Sequence, residues 1–265
     1  LHHSCGGQLF AEPGPEKQLA DCILVSHQNG GGLRKLLEGQ GYDIHEASYG
    51  SELAEKTDLF DWLPKFSSKM DKIQKCSFND DFYNDDRRNH IVMFKSCYPN
   101  SRFVGVGAAP GNPTGPELTL WNAKATMNAL LPVFDKQPNT LFVYVTAPPL
   151  ASKYAPEPLW KWAMKSVLRR PQSNEVLESQ AALAREFNNW MKSPDGWLRG
   201  YPKKNVVVFD YYALLAQDEQ ETSNFSRYAT GDGSDSHPAS KGQKKVASAF
   251  VPFLNRAVRR AGLSQ

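Results

Sequence analysis

Three features of this 265-residue chain predict an α/β fold, a largely parallel sheet between layers of helix. Three segments are apolar almost end to end: His90 to Phe94, Thr140 to Val145 and Asn205 to Asp210. Unbroken runs of this kind mark strands covered on both faces. Segments of helical periodicity lie between them, so strand–helix–strand units should cross over right-handedly and leave the strands parallel. Polar turns sit at the carboxyl ends of the strands, at Gly50, Asn100, Pro148 and the loop holding Asp235 and His237, where sites collect in such sheets.

The elements follow in order. After an opening loop, Asp21 to Val25 is a short apolar run, and Asn29-Gly30-Gly31-Gly32 is a turn. Leu33, Leu36 and Leu37 recur at helical spacing, and Gly39-Gln40-Gly41 closes that helix. Tyr42 to Ser48 reads as a strand ending at Tyr49-Gly50, Trp62 to Ile73 as a helix, and the acid-rich Asn79 to Asn89 as a solvated loop. The His90–Phe94 strand runs into Lys95-Ser96-Cys97-Tyr98-Pro99-Asn100-Ser101. A Gly/Pro-rich loop and a helix from about Leu118 to Leu131 lead to the Thr140–Val145 strand, which closes on Thr146-Ala147-Pro148-Pro149. Helices over Pro158 to Leu168 and Ser173 to Met191 precede the strand at Asn205. Last comes a long amphipathic helix, Ala239 to Ala261, which Pro238 should open, since proline suits the first helical position.

Composition narrows the function. Lysine plus arginine number 31 against 28 acids, a net +3 too balanced to indicate a nucleic-acid partner. No apolar run approaches the length of a membrane span. Four cysteines in a chain this long are no disulfide scaffold, although a single Cys22–Cys76 bridge stays open. No Cys-x-x-Cys metal pair and no internal repeat occur.

The chemistry gathers at two places. Asp235 and His237 lie two apart on a Gly/Ser-rich turn, and a histidine beside a carboxylate is the base and orienter of a Ser-His-Asp arrangement. The plain alternative is a capping Asp and a surface His; Asp232 is a weaker candidate orienter. At the front, His2-His3-Ser4-Cys5-Gly6-Gly7 supports three readings: Ser4 as nucleophile, Cys5 as thiol nucleophile, or His2, His3 and Cys5 as zinc ligands. The last is disfavoured because adjacent strand residues point to opposite faces. The Gly50 N–H and the Asn100 side-chain amide are candidate oxyanion donors, or ordinary turn residues. Trp121, Trp160, Trp162, Trp190 and Trp197 are sugar-stacking platforms or core.

Taken together, Ser4, Gly50, Asn100, Asp235 and His237 occur in the order found in the SGNH (GDSL-type) hydrolases, which the chain resembles over essentially its whole length as a single domain, residues 1–265. More narrowly, His3-Ser4-Cys5-Gly6 with Phe94 to Ser101 is similar to a divergent branch carrying His-His-Ser and Phe-Lys-Ser-Cys turns. The resemblance implies a three-layer α/β/α sandwich with a flavodoxin-like parallel sheet. It also implies a serine esterase acting on a small ester or an acylated carbohydrate. In that scheme Ser4 is the nucleophile, His237 the base and Asp235 its orienter. The Ser4 and Gly50 N–H groups and Asn100 form the oxyanion hole, and no metal or organic cofactor takes part. An O-acyltransferase using the same residues and an inactive polysaccharide-binding module are the alternatives.

The chain also departs from the family pattern. Ser4 is not in a Gly-Asp-Ser-Leu context. The Asn block lacks Gly-x-Asn-Asp, which leaves Ser96 or Cys97 as rivals of Asn100 for that role. Ser234 stands three before the His, where the family's acid usually lies, and Asp235 only two before. The family's first strand, interior in the order 2-1-3-4-5, should precede Ser4. The expectation is therefore that this strand is truncated here, with roughly ten or more further residues upstream, a sheet strand needing about five or six.

Overall fold

The computed structural model describes residues 1–153, 173–216 and 223–263; the helix expected over 158–168, with Trp160 and Trp162, lies outside them. An extended Leu1–His3 leads into α1 (Ser4–Phe10). Strands β1 (Glu12–Pro13), β2 (Lys17–Ala20) and β3 (Ile23–His27) form a small sheet in the order β1-β3-β2. Next come α2 (Leu33–Glu38), α3 (Trp62–Lys75) and a hairpin of β4 (Cys76–Phe78) with β5 (Asp81–Phe82). The central sheet is β6 (Ile91–Lys95), β7 (Leu141–Val145) and β8 (Val206–Phe209), with α4 (Leu120–Asp135) and α5 (Ser173–Lys192) between them in sequence. After β8 come α6 (Tyr211–Ala216), a hairpin of β9 (Ala229–Thr230) and β10 (Asp235–Pro238), and finally α7 (Ser240–Ala261).

The three central strands are parallel, in the order β6-β7-β8, with Ile91 opposite Leu141 and Phe142 opposite Val206. Every residue of β7 is buried, which explains its unbroken apolar sequence. Alternate side chains serve two cores. On one face Phe94, Phe142 and Tyr144 pack with Phe66 of α3 and Phe134 of α4; the Phe134 and Phe142 rings stack at 4.0 Å. On the other, Leu141, Val143, Val145 and Phe209 meet Leu9 of α1 and Val246, Phe250 and Leu254 of α7. The last three recur at helical spacing, so α7 buries one stripe and turns its Lys and Arg outward. The protein is a mixed α/β structure with helices on both faces of a parallel sheet.

Several expectations are corrected. Tyr42–Ser48 forms no regular strand; Glu46 makes a single bridge to Phe78. Its other flank is held by Leu1 and His2. The Leu1 amino group donates to Met93 O (2.8 Å), Lys95 N–H donates to Leu1 O (3.2 Å), and His2 N–H donates to Ala47 O (3.2 Å). Residues 1 and 2 thus stand between β6 and the 46–48 segment. Beside them a cavity opens between the 42–47 segment and β6, bounded by Leu37, Ile44, Met93, Phe250 and Leu254. Asn79–Asn89 is not wholly loop, since it contains β5. Pro238 belongs to β10 rather than the first turn of α7, because its pairing with Ala229 keeps it extended and leaves Ala239 as the N-cap. All four cysteines are free, so Cys22–Cys76 is not bridged. Among the described residues no helix is long and apolar enough to cross a membrane.

Candidate active site

Ser4 begins α1, where the extended Leu1–His3 segment turns into helix. Two glycines let α1 sit close to its surroundings. A Cβ on Gly6 would lie 2.3 Å from the His2 Cβ, and one on Gly7 would lie 1.9 Å from the backbone oxygen of Cys22. The two histidines before Ser4 are committed elsewhere. His2 Nε2 bonds to Glu46 Oε2 (2.8 Å), whose other oxygen accepts from Arg34. Burial pushes the Glu46 carboxyl up, but His2 and Arg34 outweigh it and hold the group below its usual range. His3 Nε2 donates to Ala54 O (2.9 Å), and its ring stacks on Tyr49 at 3.3 Å. Burial lowers the His3 pKa to about 4. Neither ring converges with Cys5, which removes the His2/His3/Cys5 zinc reading.

His237 arrives on β10 from the far end of the chain. Its Nε2 lies 3.0 Å from Ser4 Oγ and its Nδ1 2.8 Å from Asp235 Oδ1. The two-residue spacing works because residues i and i+2 of a strand share a face. Asp235 Oδ1 also accepts the His237 backbone N–H (3.0 Å), and Oδ2 accepts the Thr230 hydroxyl (3.0 Å). Burial acts to raise the Asp235 pKa, yet these bonds hold it low. Between them, Ser236 accepts Ala151 N–H (2.9 Å), tying β10 to the turn after β7. The Tyr98 ring meets His237 edge-on at 5.0 Å. Asp232 makes its side-chain bonds to Ser234 rather than to His237.

The two remaining oxyanion candidates fare differently. Gly50 is exposed, with φ +83°, and follows the Tyr49 that covers His3. A Cβ there would lie 1.6 Å from the end of the Asp21 side chain, and the positive φ itself favours glycine. Asn100 is buried and fully engaged: Oδ1 accepts Leu59 N–H (2.7 Å), while Nδ2 donates to Asp58 Oδ1 (2.8 Å) and Cys97 O (3.4 Å). With both amide hydrogens used, Asn100 as placed is a clamp on the 58–59 turn and not a free donor. Ser96 accepts from Trp62 Nε1 (2.8 Å). Trp197 is core, donating to Met127 O (2.7 Å), and Trp121 and Trp190 are half-buried beside Lys124.

The prominent addition is sulfur. Cys97 Sγ lies 3.5 Å from Ser4 Oγ and 3.0 Å from Cys5 Sγ. The Cys97 thiol is held far below its usual range by the Cys5 S–H bond first, then by His237, the Lys95 ammonium and Ser4, against burial. Cys5, fully buried, is pushed far up, so it carries no thiolate to attack with. Lys95 is buried, its Nζ donating to Ser96 O (3.0 Å) and lying 4.8 Å from the Tyr211 ring centre. In turn the Cys97 sulfur raises the His237 pKa, with help from Asp235 and against burial. Cys5, Cys97 and His237 come within 4.8 Å of one another, but His237 Nε2 already faces Ser4 and no metal role is assigned. The hint in the sequence was the Lys-Ser-Cys that abruptly ends an apolar strand. No family model, curated protein or solved structure matches the chain.

Proposed function

We propose that the protein is a serine hydrolase cleaving ester bonds, with Ser4 as nucleophile, His237 as base and Asp235 as its orienter. The observation that carries this is the unbroken chain Ser4 Oγ–His237 Nε2–Asp235 Oδ1, at 3.0 and 2.8 Å, between residues from opposite ends of the sequence. A hydroxyl attacks only when a base removes its proton, and the base works only when a third group fixes its tautomer. Asp235 accepts from Nδ1–H, which leaves Nε2 free to take the Ser4 proton and return it to the leaving alcohol. Ser4 rather than Cys97 is the nucleophile in this reading. Ser4 is half-buried, whereas Cys97 is buried and hemmed in by Cys5, His237 and Ser4.

The finer fold is part of the same proposal: a flavodoxin-like SGNH sandwich in which Leu1–His3 occupies the first-strand position. The backbone N–H groups of Ser4 and Gly50 are the oxyanion donors, and Asn100 supports them through the turn it clamps. Substrates of this class are small carboxylic esters or acylated carbohydrates. Transfer to a glycan hydroxyl would use the same residues.

The test is a serine-reactive phosphonate with an acetyl-ester assay. Labelling and turnover should vanish in Ser4→Ala, falling by about 10⁴-fold or more, as with loss of other triad nucleophiles. Both should persist in Ser101→Ala, whose hydroxyl only donates to Pro148 O. Unchanged turnover in Ser4→Ala refutes the reading.

A further inference from the structure

We infer that Cys5 and Cys97 are a redox pair that closes to a disulfide beside Ser4 and, by closing, takes the site out of action. Only the second clause rests on the hydrolase reading. The two sulfurs are 3.0 Å apart, and each cysteine is free; bond formation needs an approach of about 1 Å, a disulfide being about 2.05 Å long. They come from separate pieces of backbone, Cys5 in the first turn of α1 and Cys97 capping the turn over Tyr98–Ser101. A bridge would therefore fasten the nucleophile's helix to the end of β6.

The pair is chemically asymmetric in the way that stepwise oxidation needs. Cys97 is the more acidic of the two, its thiol held below its usual range because it accepts the Cys5 S–H and faces His237 and Lys95. It is also the more accessible of the two, 8% exposed against 0% for Cys5, on the side where Ser4 and His237 reach solvent. A small oxidant such as hydrogen peroxide thus meets the thiolate first, and Cys5 waits behind it as the resolving thiol. In the first step the Cys97 thiolate attacks one peroxide oxygen and the O–O bond breaks. A sulfenic acid forms, and the departing hydroxide leaves as water with the proton that the Cys97 thiol has passed to His237. In the second step the Cys97 anion that helped hold Cys5 protonated is gone, the Cys5 sulfur attacks the sulfenic sulfur as its proton passes to the departing oxygen, and the S–O bond breaks. That hydroxide leaves as water with the Cys5 proton. Two thiols are oxidised by two electrons, one peroxide is reduced to two waters, and a dithiol reductant reverses the change.

Closing the bond also changes the acyl-transfer site. His237 loses its anionic neighbour, and Ser4, next in the chain to Cys5, moves as α1 is drawn toward Cys97. The test uses the purified full chain, first reduced and then titrated with hydrogen peroxide. Peptide mapping should recover a Cys5–Cys97 link with Cys22 and Cys76 still alkylatable. Phosphonate labelling should fall by about 10²-fold, the usual cost of an ångström's misplacement of a reacting group, and return with dithiothreitol. Cys5→Ala should lose the link and the dithiothreitol-reversible inhibition. Four alkylatable thiols after oxidation, a link through Cys22 or Cys76, Cys97 found only as sulfinic acid, or a linked chain that labels at full rate each overturn the inference. A chain that forms the link but labels in neither state refutes the hydrolase reading and leaves the redox pair standing.

Discussion

Acid should loosen this protein through His3, the histidine next to Ser4. His3 is 7% exposed, donates to Ala54 O and lies flat against Tyr49, and burial takes its pKa from 6.5 to about 4. The folded state therefore holds His3 neutral where the unfolded chain binds a proton. Unfolded protein binds more protons between the two values, so stability rises with pH across that window. The contribution is fully present above about pH 6.5 and is lost progressively down to about pH 4. At about 1.4 kcal/mol per unit, a depression of this size corresponds to about 3 kcal/mol, a large part of the 5–15 kcal/mol typical of a folded domain. The assay is urea unfolding at fixed pH steps from 7 to 4, for the wild type and for His3→Gln, whose amide can still donate toward Ala54 O. The difference between the two curves isolates His3 from the carboxylates and from His237, whose raised pKa pulls the other way. Wild type should lose about 3 kcal/mol more than the variant over this range. Parallel curves would refute the claim that His3 is buried without charge.

Two further predictions concern the centre. Cys97→Ala removes the group that contributes most to raising the His237 pKa, so the acid limb of kcat/KM against pH should move to lower pH; a limb that stays put excludes the Cys97–His237 pairing. Asn100→Ala strands the buried Leu59 N–H and frees Asp58. It should lower unfolding stability by about 1–3 kcal/mol, with a smaller change in kcat at temperatures where the variant is folded. A stable variant with a selective collapse of kcat would return Asn100 to the role of direct oxyanion donor.

The sheet was legible because β6, β7 and β8 are covered on both sides and write that burial as unbroken apolar runs. Asp235 and His237 were legible for a different reason: a spacing of two needs only an extended backbone to bring both to one face. α1 was not. Its first four residues, Ser4-Cys5-Gly6-Gly7, include two glycines of poor helical propensity, and the helix packs against β3 and against α7, the latter far away in sequence. The engagement of Asn100 was hidden likewise, since its acceptor serves an N–H 41 residues upstream. The sulfur pair, joining positions 92 apart, falls outside any local pattern, and the 42–48 segment reads as a strand from composition but meets Leu1–His2 on one side and the single Glu46–Phe78 bridge on the other.

The bond between Ser4 and His237 spans 233 residues, and that span has a consequence for biosynthesis. While the polypeptide emerges, the Ser4 hydroxyl is made 233 residues before the His237 imidazole, and the contact between them cannot form until β10 is made. That contact forms only once the β9–β10 hairpin has docked beside α1. On the proposed reading, chains cut short before β10 lack the base and should not turn over esters.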